Sequence, residues 1–278
     1  MKQILLLLTV LSMATLSMAQ TTVMSYNIRL NTNSDGQYRW DERKDRMITK
    51  LEIDGADIIG FQEALSSQVR YLSSHLKDYD WVGVGRDNGK RGGEYTPIFY
   101  KKDRFILSSW GTYWLSETPS VPSLGWDAAC HRTATWALLE SRTDGQPLLF
   151  INTHFDHVGV EARVNSSKAI AELADSLCEE FGVSRVLLVG DFNVPVYNSS
   201  LSPILESFDY ALLSSSSYWV AAAEPSYIGF PHHNTKAMAI DHIFTRGLKA
   251  QTYVVDSHNY GLGSLSDHLS VKSTVVER

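Results

Sequence analysis

Short apolar runs ending in polar side chains recur along this chain, and segments of helical spacing separate them. Residues 22–30 alternate apolar and polar positions, which predicts a strand, whereas residues 40–53 put apolar side chains at helical intervals with charges on the opposite face. A short buried strand is predicted over 56–61 and a helix over about 66–76. Strand-like runs follow at 81–84, 96–101, 105–114, 133–140 and 147–152, a central block that reads as an antiparallel meander. From Val160–Phe181 the helical spacing returns and stops at Gly182, a natural left-handed cap, ahead of an apolar strand over 186–189. After an irregular segment at 214–236, further strands are predicted at 239–245, 251–255 and 268–276.

Helices and strands are mixed without strict alternation, and about ten strands are too many for one comfortable sheet. The pattern therefore predicts an α+β fold of two sheets packed face to face with helices outside. Residues 1–19 stand apart: Lys2, an apolar run over 4–10, and Ser17, Met18 and Ala19 together read as a cleavable secretory leader, with cleavage expected before Gln20. The run is short and followed by no stop-transfer pattern, and no Cys stands at the cleavage point for a lipid. These features predict a periplasmic or secreted protein with no stable membrane insertion, and a single domain over residues 20–278 that acts as a monomer.

Net charge is −6. Proteins that grip long polyanions carry a basic stripe, and here the longest basic runs are Lys90-Arg91 and Lys101-Lys102, so extended nucleic acid is disfavoured as a partner. Cys130 and Cys178 are too few for a disulfide scaffold and leave one bridge or two separate thiols open.

The polar ends of the apolar runs carry the chemistry. They are Asn27 in MSYNIR, Glu63 in GFQE, His154 in NTHFDH, Asp191 and Asn193 in GDFN, Asp241 and His242 in IDHIF, and Asp267 and His268 in SDHL. Glu63 follows a strand and suits Mg²⁺ or Mn²⁺ as a hard oxygen ligand, although a Glu there is most often a solvated loop residue. Asp191 and Asn193 are two apart and share a face in extended backbone; the plainer alternative is an Asx turn. Within each Asp-His pair, alternation lets only one side chain enter a cleft. Asp241 is expected inward, fixing the imidazole of His268. Together the set points to metal-assisted phosphoester hydrolysis, which needs a cation on the phosphate oxygens, a group to orient water, and donors for the developing charge. CxxC, HExxH, GK[ST] and GxSxG motifs are absent, and His232-His233 reads as a solvated loop pair.

The ordered series MSYNIR, GFQE, NTHFDH, GDFN, IDHIF and SDHL, running over residues 22–272, resembles the endonuclease/exonuclease/phosphatase superfamily of DNase I-like fold. The resemblance implies a four-layer α-β-β-α sandwich, a cleft at one edge and dependence on Mg²⁺ or Mn²⁺. It also implies that Glu63 is the principal metal ligand with Asn27 and Asp267 in support, and that Asp191 orients or deprotonates water. Asn193 would hold phosphate or nucleophile, while His154 and His268, the latter backed by Asp241, would stabilise the pentacovalent state and assist the leaving group. DGQYRWDERK, WLSETP, GWDAACHR and DHVGVEAR resemble a secreted bacterial subgroup, from which His131 and His242 depart.

Arg132 and Arg163 are candidate phosphate clamps because a planar guanidinium matches phosphate bidentately, with surface ion pairs as the plainer alternative. Trp126, Tyr227 and Phe230 are candidates to stack on a base, sugar or lipid part, core packing being the commoner use of such rings. A small phosphorylated substrate is thus expected ahead of DNA or RNA. An inactive phosphoester-binding module is the alternative of another class, disfavoured because unused buried carboxylates and imidazoles cost stability.

Overall fold

A computed structural model describes residues 20–215, 224–231, 235–258 and 260–278. The leader and the His232-His233 pair lie outside the described residues. In chain order the described elements are β1 (Thr21–Asn27), α1 (Trp40–Asp54), β2 (Ile58–Gln62), β3 (Ala64–Leu65), α2 (Ser66–His75), β4 (Tyr79–Val82), β5 (Glu94–Tyr95) and β6 (Ile98–Lys101). Next come β7 (Phe105–Trp114), β8 (Thr133–Ser141), β9 (Pro147–His154), α3 (Val160–Phe181), β10 (Val186–Asp191), α4 (Ser202–Ser207), β11 (Asp209–Tyr210) and α5 (Ala211–Ser214). The chain finishes with β12 (Asp241–Arg246), β13 (Leu248–Ala250), β14 (Val254–Asp256) and β15 (Ser270–Glu277).

Two mixed sheets carry the fold. One has seven strands, β13-β15-β1-β2-β6-β4 with β14 also on β15, and the other has six in the order β11-β12-β10-β9-β8-β7. The expected meander is therefore divided: β4 and β6 join β2, and only β7, β8 and β9 run on as antiparallel neighbours. Each sheet has one parallel pair at its heart, β1 with β2 and β9 with β10, joined by the crossover helices α1 and α3.

Alternation decides what each sheet buries. Val23, Ile58 and Ile98 enter the core between the sheets, while Met24, Ile59 and Phe99 face the other way onto Met47 and Leu51 of α1 and Leu72 of α2. Strands buried on both faces read as nearly unbroken apolar runs, as β2 and β6 do, whereas β1 also buries the polar Ser25. Close approach of the sheets depends on Gly60, where a Cβ would come within 2.6 Å of Val189 and 2.7 Å of the Asn152 side chain. Gly182 takes the left-handed conformation at φ 63° and closes α3, as its spacing predicts. Cys130 and Cys178 are both free thiols, and no helix among the described residues is long and apolar enough to cross a membrane.

Candidate active site

Parallel strands place their carboxyl ends on one side of a sheet, where open α/β sheets build ligand clefts. Asn27 ends β1, Glu63 follows β2, His154 ends β9 and Asp191 ends β10, so both parallel pairs deliver polar groups to a common edge. Antiparallel β12 begins at that edge with Asp241, opposite Asp191. Glu63, His154 and Asp191 line a cleft of about 480 Å³, and Asn27 and Asp241 are buried beside them.

One amide joins the two sheets chemically. Asn27 Nδ2 donates to Glu63 Oε1 and to Asp191 Oδ2, each at 3.0 Å. The same Asp191 oxygen lies 3.6 Å from His154 Nε2 and 3.7 Å from His268 Nε2. Behind His268, its Nδ1 is 2.8 Å from Asp241 Oδ2, the pairing expected from the sequence. GDFN takes the Asx turn and not the extended backbone: the strand ends at Asp191, whose Oδ1 accepts from Asn193 N at 2.9 Å, and this turn still leaves Asp191 Oδ2 and Asn193 at the cleft. Asn193 lines the cleft with Nδ2 donating to Phe155 O at 2.9 Å.

Asp267 and His268 depart from the alternation argument. Both line the cleft, because β15 begins only at Ser270 and the pair precedes the regular strand. Asp267 reaches 3.9 Å from Arg29 Nε, and Arg29 is held bidentately by Asp35 at 3.0 Å while lying 3.7 Å from Glu63. Arg29 carries no signal in the sequence pattern. Neither does Arg43 on α1, a fully buried guanidinium that donates to the carbonyls of Ile28, Arg29, Tyr38 and Leu265 and so ties the β1 loop to the loop before Asp267.

Arg29, Glu63 and Asn193 all have left-handed backbone, with φ of 56°, 61° and 56°. Asn tolerates this conformation; for Arg and Glu it costs roughly 1–2 kcal/mol each.

Burial and charge set the protonation pattern. Burial, reinforced by the Asp241 charge, pushes Asp191 up to about 7. Asp267 is also raised, chiefly by burial. In His268 burial opposes the charge, but Asp241, by charge and hydrogen bond, prevails and lifts it to about 10. His154 goes the other way: burial, then the charges of Arg132 and Arg86, depress it well below the ordinary histidine value.

An excess of carboxylates, Glu63, Asp191 and Asp267, lines the cleft and offers hard oxygens to a divalent cation, while Asn27 turns Nδ2 to Glu63 and Asp191 and gives Oδ1 to Arg29 N, so it positions those carboxylates. Asp241 Oδ1, buried with no hydrogen-bond partner, underlines that excess. Asp191, Asp241 and His268 also have ligand atoms within 4.8 Å of one another, but His268 is hydrogen-bonded to Asp241 at 2.8 Å and lies 3.7 Å from Asp191, so the imidazolium already stands where a cation would. Cys130, Asp156 and His157 form a second such group, in which Arg132 already occupies Asp156 Oδ2 at 3.3 Å and opposes a cation.

Of the substrate-binding candidates, Arg132 and Tyr227 line the cleft. Arg163 does not: it is buried and donates to Asp156 O at 2.8 Å, bracing the loop beneath the cleft wall. Phe230 is 1 % exposed and stacks on Tyr38 at 4.9 Å, a packing role. Trp126 packs half-buried against the core outside the cleft lining. His242 faces away from Asp241, 3.0 Å from Val194 O among Phe192, Tyr210 and Phe244. Arg86 and Glu94 line the cleft from outside every motif, and His157 lines it from the end of NTHFDH.

The sequence profile of the Endonuclease/Exonuclease/phosphatase family matches residues 24–268. The chain belongs to this family. Its members are phosphoesterases and nucleases that generally use divalent metals. The fold is similar to that of a family protein from Bacteroides thetaiotaomicron, at 30% identity over 94% of this chain and 96% of that one, with a TM-score of 0.84. A mannosyl-6-phosphatase of the same organism is 31% identical over 92% of this chain and 99% of its own, with a TM-score of 0.82. An uncharacterized protein, L388, of Acanthamoeba polyphaga mimivirus is 32% identical over 171 residues, 59% of this chain and 62% of that protein, so the match spans about three fifths of that relative.

Proposed function

We propose that this protein is a divalent-metal-dependent hydrolase of small phosphoesters, acting in the periplasm or outside the cell once the leader is removed. One observation carries the reading: a single Asp191 oxygen is shared by Asn27 at 3.0 Å, His154 at 3.6 Å and His268 at 3.7 Å, with Glu63 on the same amide. Glu63, with Asn27 and Asp267 in support, would hold Mg²⁺ or Mn²⁺, which would neutralise charge on the phosphoryl oxygens. Asp191 is the group suited to orient or deprotonate water, since its pKa of about 7 brings it near neutrality. His268, held charged by Asp241, donates to the phosphoryl or leaving-group oxygen, and His154 and Asn193 add donors around the phosphorus. The acidic balance and missing basic stripe favour a small substrate over polymeric nucleic acid.

Hydrolysis should be screened with Mg²⁺ and Mn²⁺ over nucleotides, sugar phosphates, lipid headgroups, and single-stranded and duplex nucleic acid. Small esters should turn over only with cation present. Glu63→Gln should lose on the order of 10³-fold in turnover and most of the cation-induced rise in thermal midpoint, which corresponds to about 2.7 kcal/mol at a cation concentration 100 times its Kd. Undiminished turnover in chelator, or rates that climb with polymer length and fall steeply with salt, would defeat the proposal.

A further inference from the structure

Beside the groups around Asp191 the cleft has a second wall, which the hydrolytic step does not use. Arg86 grips Glu94 bidentately, Nη1 to Oε2 at 2.8 Å and Nη2 to Oε1 at 2.7 Å. Arg132 donates from Nε to Asp156 Oδ2 at 3.3 Å and its Nη2 lies 3.0 Å from His157 Nδ1. Two donors on this wall are left over: Arg86 Nε and Arg132 Nη1 are buried without a hydrogen-bond partner. Both arginines also line a narrow recess with Glu94, Thr96, Thr133 and His154.

His154 is the link between the two walls. Its Nε2 is 3.6 Å from Asp191 Oδ2 and its Nδ1 is 3.9 Å from Glu94 Oε2. A substituent on a phosphoryl group held at Asp191 has Glu94 and Arg132 within the same cleft, on the far side of His154.

The charge pattern of that wall selects what the substituent can be. Each guanidinium is matched by a carboxylate, so the wall gives a second anionic group little net attraction. It offers fixed N–H donors next to carboxylate acceptors, the combination that vicinal hydroxyls satisfy by giving one hydrogen bond and accepting another. A hydrocarbon substituent would lay apolar surface on these ion pairs and use none of their hydrogen-bonding capacity. Among the described lining residues the aromatic ring is Tyr227, which packs on the His268 ring at 5.0 Å.

We propose that Arg132, Glu94 and Arg86 read hydroxyl groups, and that the substrate carries a polyol, a sugar or its reduced form, directly on the scissile phosphate. This deepens the phosphoesterase reading and rests on it.

The test measures kcat/KM with Mg²⁺ or Mn²⁺ for p-nitrophenyl phosphate, hexose 6-phosphates, their monodeoxy analogues, a hexose bisphosphate and nucleoside 5′-monophosphates. Wild-type protein should prefer a hexose 6-phosphate to at least one of its deoxy analogues by about tenfold or more. Arg132→Gln should lose at least about tenfold more on the hexose phosphate than on the aryl phosphate, mainly through KM. Arg132 is buried, so the variant's folding is checked by its thermal midpoint; the deoxy comparison needs no variant. Equal losses on both esters would mean that Arg132 serves the phosphoryl group and would overturn the assignment. So would a preference for nucleotides or for the bisphosphate. Turnover without discrimination among polyols removes the hydroxyl-reading wall alone, whereas no turnover of any ester removes the phosphoesterase reading and this inference with it.

Discussion

Beside α1, Lys50 and Lys272 meet Asp54 and Asp256 with all four N···O separations at 2.8 or 2.9 Å. At the cleft edge, Glu63, Asp191, Asp241, Asp267 and Asp35 share one guanidinium, Arg29, and one imidazolium, His268. Both groups are largely buried, yet their charges behave in opposite ways. Burial alone would raise the Asp256 carboxyl, but Lys272 and Lys50, by hydrogen bond and charge, hold it well below the usual carboxylate range. Asp191 and Asp267 are raised. The contrast separates two uses of buried acid: a cluster whose charges are matched braces the fold, and one left short of cations is prepared for an ion and a reaction.

Three experiments would break or sharpen that contrast. The largest effect is expected at the cleft: Asp191→Asn should cut kcat by up to about 10⁴-fold while raising the stability of the metal-free protein, since it removes the repulsion with Asp241. Loss of activity together with a lower thermal midpoint would instead make Asp191 a structural residue.

Next, Lys50→Met should destabilise by about 3 kcal/mol, because Asp54 and Asp256 would share Lys272 alone. Steady-state kinetics of the folded fraction should stay within about twofold of wild type. A variant as stable as wild type in urea would show that the lysine-aspartate cluster contributes little.

The smallest effects appear in the pH dependence of the metal-free protein. Asp191 titrates near 7 when folded and 3.8 is its ordinary value, so in that window the folded chain keeps a proton that the unfolded chain has released. Stability from this group therefore falls as pH rises from about 4 to about 7. The His268 contribution, with a folded value of about 10 against 6.5, is fully present below pH 6.5 and lost as pH climbs toward 10. Asp256 has the opposite sign: its contribution is present above 3.8 and disappears as pH falls through its lower folded value. Urea midpoints against pH should accordingly show Asp191→Asn flattening the neutral slope and Lys50→Met flattening the acid limb; exchanged effects would contradict the assignment of the two clusters.

How far this was legible in the sequence follows from how local each signal is. The helix Val160–Phe181 and its Gly182 cap were predictable to the residue, since an amphipathic period and a left-handed glycine are properties of the segment itself. Division of the central strands between two sheets was not, because β6 pairs with β2 across the intervening α2 and only tertiary packing selects that partner. The two- and three-residue strands β3, β5, β11 and β13 escaped for the same reason. At the site, Asn27, Glu63, His154, Asp191, Asn193, Asp267 and His268 were readable as polar ends of apolar runs. Arg29 and Arg43 were not: their partners are carbonyls and carboxylates supplied by several loops, and a charged residue on a helix reads as solvated until those loops close over it. Phe230 and Trp126 took the core-packing alternative, since a loop aromatic gives no sign of whether it lines a cleft or plugs the core.

The left-handed backbone at Glu63 has a consequence for laboratory evolution. Glycine adopts φ near 61° without strain, so a library selected for heat tolerance alone should drift toward Gly at this position. Such a lineage would become hardier while discarding the carboxylate that the cleft is arranged around, and a screen for thermostable descendants of this protein must select for turnover at the same time.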